Sequence, residues 1–222
     1  MWEFIINNWQ KALVLTGEHL YIVFIATTIA ILIGVPLGIF ITIKDEYSEI
    51  IMNLANIIMT IPSIALFGIM LPLLSVFNVG LGVVPVVISL ILYNQLPIIR
   101  NTYTGIKNVD RSIIDSARGL GLSPLQILWE VQLPLALPVI MAGIRVATVM
   151  NIGIVTIAVY VGAGGLGKFI QRGIDQVYEE QILAGAILVS LLAILTEAVL
   201  YLVEYILTPQ ALRGDTDEKE HS

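Results

Sequence analysis

The 222-residue chain has no cysteine and only two histidines, His19 and His221, and Asp, Glu, Lys and Arg together make up just 13% of it. Without thiols, disulfides and thiolate metal sites are excluded. There is no H-E-x-x-H, no Ser-His-Asp grouping that one membrane face could assemble and no metal-ligand cluster, so neither a catalytic set nor a metal site is expected. The scarcity of charge says more. Soluble domains carry about 25% charged residues; roughly half that, with 57% hydrophobic content in long apolar runs, describes an integral membrane protein. The net charge of −6 gives no sign of a nucleic-acid partner, and much of it lies in a polar tail with Asp215, Asp217, Glu218 and Glu220. Residues 1–18 lack a basic n-region, so no cleavable signal peptide is expected.

The apolar runs predict an all-α membrane protein of five transmembrane helices. Residues 1–18, with Trp2, Phe4, Ile5, Ile6 and Trp9, form an amphipathic N-terminal segment expected along the bilayer surface, because indole rings prefer the headgroup layer. The membrane domain is expected over 19–207 and an acidic, disordered tail over 208–222. Its spans are about 19–43, 50–76, 85–100, 135–161 and 181–207, with a polar loop at 162–180. Gly34 and Gly38 are spaced for close helix packing. Lys44, Arg100, Lys107, Arg111, Arg118, Arg213 and Lys219 fall on one side, against Lys11, Lys168 and Arg172 on the other. The richer side is therefore cytoplasmic, with the N-terminus outside and the C-terminus inside.

Between the third and fourth spans lies a stretch, 110–134, that is neither span nor tail. It carries Asp110, Arg111, Asp115, Arg118 and Glu130 among apolar residues recurring at helical spacing, which predicts two short amphipathic helices. Gly119 and Gly121 supply the bend, and Ser123-Pro124 fits an N-cap with proline at the first helical position. By the residues alone two roles stay open: a surface gripped by another protein, and an interfacial helix resting on headgroups.

Other constellations sit in or beside the spans. Gly162-Ala163-Gly164-Gly165-Leu166-Gly167 matches G-x-G-x-x-G, and with Lys168 it matches a P-loop up to Phe169. Both motifs work only between a strand and a helix; after a membrane span this glycine run is expected to be a tight, closely packed turn on the outer face. Arg145 lies about 16 Å from one end of its span and Glu197 about 15 Å from the same face. Lone charges at such depth are costly, so the two are expected to pair, as a structural ion pair ahead of a substrate contact, while Glu204 is expected to snorkel to the interface. Thr60, Ser63, Asn94, Gln95, Thr148, Asn151 and Thr156 punctuate spans two to four, with Pro62 and Pro97 expected to break the helical ladder beside them. Collectively they mark a candidate translocation path, although for any one of them interhelical hydrogen bonding is the simpler role.

Residues 115–134 resemble the EAA loop of ABC-importer permeases, whose pattern is E-A-A, three residues, G, nine residues, I-x-L-P. Here it stands as Asp115-Ser116-Ala117, Gly121 and Val131-Gln132-Leu133-Pro134, with both gaps kept. Asp for Glu, Ser for the first Ala and Val for Ile are the departures. The resemblance implies that Asp115, Ser116, Ala117, Arg118, Gly119, Leu120 and Gly121 form a coupling helix that docks on a cytoplasmic ATPase. From about 19 to 207 the chain resembles small five-span permeases of the methionine type. Gly17-Glu18-His19-Leu20-Tyr21, Ile61-Pro62-Ser63-Ile64-Ala65-Leu66 and Tyr160 to Gly167 resemble osmoprotectant importers for glycine betaine, carnitine or choline. The resemblance implies a multi-pass subunit of a bacterial cell membrane, two ATPase partners, an external substrate-binding protein and a second, plausibly different, permease subunit. It implies no cofactor on this chain, ATP and Mg²⁺ being bound by the ATPases, and no catalysis by the permease itself. The rivals are a permease for methionine or another small solute and a self-contained secondary transporter.

Overall fold

The structure, a computed structural model, describes residues 2–208; residues 209–222, nearly all of the expected acidic tail, lie outside the described residues. Every described element is helical. A short helix α1 (Trp2–Asn7) leads into α2 (Trp9–Ile43), followed by a single 3₁₀ turn (Asp45–Tyr47). Then come α3 (Ser48–Thr60), α4 (Ser63–Ser75) and α5 (Val83–Lys107). The connecting hairpin holds α6 (Arg111–Gly119) and α7 (Pro124–Gln126), which runs through a π-helical turn (Ile127–Gln132) into α8 (Leu133–Val155). A 3₁₀ turn (Ala158–Val161), α9 (Gly167–Asp175) and α10 (Glu179–Leu207) complete the described chain.

Four stretches, Trp9–Ile43, Val83–Lys107, Pro124–Val155 and Glu179–Leu207, are long and apolar enough to cross a membrane. The expected second span is different. It breaks between Thr60 and Ser63 with a bend of 98°, and counts as a fifth crossing only if the two halves are taken together. Pro62 causes the break: it has no N–H to donate, and its ring pushes Ile61 into the extended region, at φ −71° and ψ 127°. The carbonyl thus released on Ile61 accepts a hydrogen bond from the Tyr93 hydroxyl of α5, so the elbow is anchored. Pro97, by contrast, does not interrupt α5, where it is buried mid-helix.

Other boundaries also move. No breaker separates residues 9–18 from the first span, and Ala12 and Leu15 are buried, so α2 is continuous from Trp9 and only α1 stands apart from it. At helical rise its 35 residues reach about 52 Å, beyond the roughly 30 Å of hydrocarbon. The second amphipathic helix expected after Gly121 does not stand alone, because α7 continues into the fourth span. Pro134 can neither donate to the carbonyl of Glu130 nor sit close to it, and the wider π turn immediately upstream accommodates the ring. The loop expected at 162–180 contains the amphipathic helix α9, whose Phe169 is 1% exposed.

Three helices, α2, α5 and α8, form the centre. The contacts of α2 and α8 with α5 are close because glycine faces a neighbour at both crossings. A Cβ on Gly34 would lie 2.7 Å from Ile98 Cγ2, and one on Gly143 would lie 2.7 Å from the Pro97 carbonyl oxygen. One apolar cluster, with Ile22, Phe67, Leu90, Ile152 and Phe169, fills one half of the bundle. A second, with Ile98, Ile106, Leu128, Ile140 and Ala147, fills the half near the hairpin. The α3–α4 elbow flanks α5 and α10 flanks α8. At the hairpin end Asp45 ties the first turn to α5, accepting from the Tyr103 hydroxyl at 2.7 Å and pairing with Lys107 at 3.2 Å.

Candidate functional site

The hairpin after α5 is built by local rules. Asp110 caps α6, its Oδ1 accepting from the Ser112 amide at 2.8 Å. That hydrogen bond holds the Asp110 carboxyl below its ordinary pKa of 3.8. Because the shift is downward, the cap is fully present above 3.8 and is lost as pH falls through the lower native value. Asp110→Ala at neutral pH, and the unaltered protein well below pH 3.8, should therefore both fray the first turn of α6, read as faster amide exchange at Ile113 and Ile114.

The turn itself is made at Gly121, with φ +84°, rather than at Gly119, which remains in α6. Ser123 and Gln126 then close a reciprocal capping box around Pro124. Within the EAA-like residues the structure separates two roles. Ala117 is 6% exposed and faces the fold. Asp115, Ser116, Arg118, Gly119, Leu120 and Gly121 are exposed, and Asp115 and Arg118 form a surface pair at 3.3 Å, worth little in stability. Leu120, at the turn of the hairpin, is 82% exposed, and Leu125 just beyond it is exposed as well.

The membrane-embedded charges converge further than expected. Arg145 donates from Nε to Glu197 Oε1 at 2.7 Å, and its Nη2 reaches the same oxygen. Its Nη1 donates to Glu204 Oε2 at 2.7 Å, so Glu204 does not snorkel but completes a triad. The guanidinium also lies over the Tyr201 ring, 5.4 Å from its centroid. Snorkelling loses because Glu204 lies on the same face of α10 as Glu197, seven residues and two turns further on.

The uncharged polar residues divide. Thr60 is exposed beside the proline elbow, its hydroxyl bonded to the Ile57 carbonyl, and Ser63 starts α4 half-buried on the other side of the break. Asn94, Gln95, Thr148 and Asn151 are instead buried in the α5 and α8 packing. Asn151 Nδ2 donates to Thr27 Oγ1 of α2 at 3.1 Å, and Thr148 bonds within its own helix to the Ile144 carbonyl. Thr156 likewise bonds locally, to the Gly153 carbonyl. The structure does not bring the elbow residues and the buried set into one lining.

The glycine-rich turn has partners that the sequence did not reveal. Gly165 donates its amide to Glu18 Oε2 at 2.9 Å, and Lys168 Nζ reaches the same oxygen at 3.0 Å. The Leu166 amide donates to His19 Nδ1 at 3.3 Å. With Nδ1 accepting, Nε2 carries the proton and donates to the Ile152 carbonyl at 3.0 Å, which defines a neutral imidazole. His19 is fully buried. Two of the loop's amides are thus committed to α2 rather than available to a phosphate, and Gly162, Gly164 and Gly165 all adopt positive φ. The signal was present as Gly17-Glu18-His19 and the glycine run, but 147 residues separate the bonded partners.

The described chain is thus a multi-span helical bundle with a capped amphipathic hairpin between its central spans. The chain matches the family model described as binding-protein-dependent transport system inner membrane component over residues 30–211, and it belongs to that family. It is 41% identical, over 96% of both chains, to the glycine betaine/carnitine/choline transport system permease protein OpuCB of Bacillus subtilis. It is 42% identical to the OpuCD protein of the same description and organism, over 81% of this chain and 77% of that one. A solved structure of the MetNI methionine ABC transporter in an inward-facing conformation shares the fold, with a TM-score of 0.77 and 22% identity over 89% of this chain and 96% of that chain. The protein is a multi-pass inner-membrane permease subunit of an ABC importer.

Proposed function

We propose that this permease subunit carries a compatible solute of the quaternary-ammonium type, such as glycine betaine, carnitine or choline, and that the hairpin Asp110–Gln126 couples it to cytoplasmic ATPases. The exposed apolar tip at Leu120 carries this reading. A leucine this exposed, held between capped α6 and an α7 that runs on into α8, suits a groove on another protein and can transmit a push into the bundle. Asp115, Ser116, Arg118 and Gly121 flank it, and Ala117 holds the hairpin from beneath. The solute class follows the relatives' descriptions.

In this reading two ATPases bind ATP and Mg²⁺, and the permease itself binds no cofactor and catalyses nothing. An external binding protein delivers the solute to the face opposite the hairpin, so the N-terminus lies outside and the C-terminus in the cytoplasm. A second permease subunit encloses the path. Similarity to both OpuCB and OpuCD, two proteins of one transport system, supports a pair of different permeases. Thr60 and Ser63, at the exposed elbow, are the stronger path candidates. Asn94, Gln95, Thr148 and Asn151 would meet solute only if the central helices part. Differential docking of the hairpin in the two ATPase states would drive that movement as alternating access.

Co-purification with the neighbouring ATPase tests the coupling surface. Leu120→Asp should abolish ATPase retention while the permease stays folded in the membrane, because the residue is 82% exposed within the subunit. An unaltered permease that never retains an ATPase would overturn the reading. Uptake of labelled carnitine, betaine and choline with the cognate binding protein, against methionine, tests the solute class.

A further inference from the structure

The first half of the proline elbow, α3, has three faces of different chemistry. Ala55 is buried, and α5 is the main helix that α3 packs against. Ile50, Leu54 and Ile57 form an exposed apolar face suited to lipid. Glu49, Asn53, Asn56 and Thr60, spaced four, three and four residues apart, fall on one polar stripe about a quarter of a turn from that apolar face. Asn56 is half-buried and the other three are exposed. The stripe runs from the hairpin end of the bundle up to the elbow at Pro62.

Arg100 of α5 joins this stripe, donating from Nη2 to Asn56 Oδ1 at 3.2 Å. The pair between Lys107 and Asp45 sets the end of α5 level with the approach to α3. From there Arg100 lies seven residues up α5, about 10 Å, and Asn56 lies eight residues past Ser48, about 12 Å up α3. Both helices therefore put the charge at the same depth inside the bundle. Arg100 is exposed, and among the described residues it forms no ion pair with a carboxylate. Arg145 differs, its charge being answered within the chain by Glu197 and Glu204. Ionised side chains within membrane helices pair, or face a water-filled cavity and mark a solute's path.

We infer that Arg100 is a carboxylate-binding point on the solute's path, which favours zwitterionic solutes over cationic ones. The inference rests on the solute class proposed above and adds which end of the solute this chain holds. Glycine betaine and carnitine carry a carboxylate as well as the quaternary ammonium, whereas choline carries a hydroxyl and a net positive charge. A guanidinium presents five N–H donors in a planar fork. Asn56 takes one and steadies the group, which leaves an edge for the two oxygens of a carboxylate. Choline offers that edge no anion, and like charge repels it. Asn53 and Thr60, a turn to either side of Asn56, give a hydrated solute neutral hydrogen-bonding groups along the same stripe.

Uptake by the assembled transporter in proteoliposomes, with its ATPases and cognate binding protein, tests this. Arg100→Gln should lower the ratio of glycine betaine to choline uptake by about tenfold or more, the usual worth of a charge-assisted hydrogen bond. Arg100→Lys, which keeps the charge but not the fork, should keep part of the ratio. A ratio does not depend on how much of a variant folds, so a poorly assembled one still reports. If the unaltered transporter does not carry choline, betaine uptake per folded transporter takes the place of the ratio. An unchanged value in Arg100→Gln, or an unaltered transporter that carries choline alone, would overturn the inference and leave the solute class standing. An unaltered transporter that carries none of glycine betaine, carnitine and choline would overturn both.

Discussion

Arg145→Met will cost this protein on the order of 3 kcal/mol of stability, because it strands two carboxylates in the membrane at once. Glu197 and Glu204 come from successive stretches of α10 and are both satisfied by the one guanidinium. Remove it and each must find water, take a proton or move apart. Breaking a fully buried pair costs about 3–5 kcal/mol; the lower end applies here because the Glu197 side chain is 37% exposed. Arg145→Lys should rescue little, since a single ammonium cannot present two edges to two carboxylates. The triple variant Arg145→Met, Glu197→Gln, Glu204→Gln should recover most of the loss. Thermal midpoints of the detergent-solubilised protein measure all three. A single Arg145→Met variant as stable as the parent would show that the triad contributes nothing to the fold.

Gly167→Ala will be at least as damaging, through geometry alone. A Cβ there would overlap the Thr156 carbonyl oxygen and lie 2.7 Å from its carbon. The clash is with backbone, so no rotamer relieves it. Nor can the loop drift away, because Glu18 and His19 of α2 hold the amides of Gly165 and Leu166. Overpacking in a core costs about 1–3 kcal/mol and sometimes more, and the upper end or beyond is expected. Gly153→Ala, earlier in the chain in α8, is the contrast: its Cβ would meet nothing within 4 Å. That substitution should be neutral or stabilise by up to about 1 kcal/mol through helix propensity. Yield of folded protein by fluorescence-detected size exclusion separates the two; equal yields would mean that the turn is more compliant than its hydrogen bonds imply.

The hairpin was the most legible part of the chain because its rules are local. Gly121 and Ser123-Pro124 act within a few residues, so bend and restart can be placed from the sequence, and the Asp110 cap found in the structure obeys the same local chemistry. What pattern could not supply was the side to which each residue turns. Ala117 belongs to the EAA-like motif as much as Leu120 does, yet one is buried and the other exposed. The proline positions were legible as residues but not as outcomes. Pro62 broke its span, and Tyr93 donates to the Ile61 carbonyl that the break frees, while Pro97 stayed helical within the dense packing of α5 between its neighbours.

The sequence by itself determined that this is a helical membrane protein, where its long apolar stretches lie and that a polar hairpin interrupts them. These follow from composition, helical period and capping chemistry, which depend only on near neighbours along the chain. The tertiary structure decided the partners: Glu204 joining Arg145 and Glu197, and Glu18 and His19 gripping a glycine turn far along the chain. Those bonds exist because apolar burial of α2, α5 and α8 against one another fixes distant polar groups at hydrogen-bonding distance, and no local preference encodes that distance.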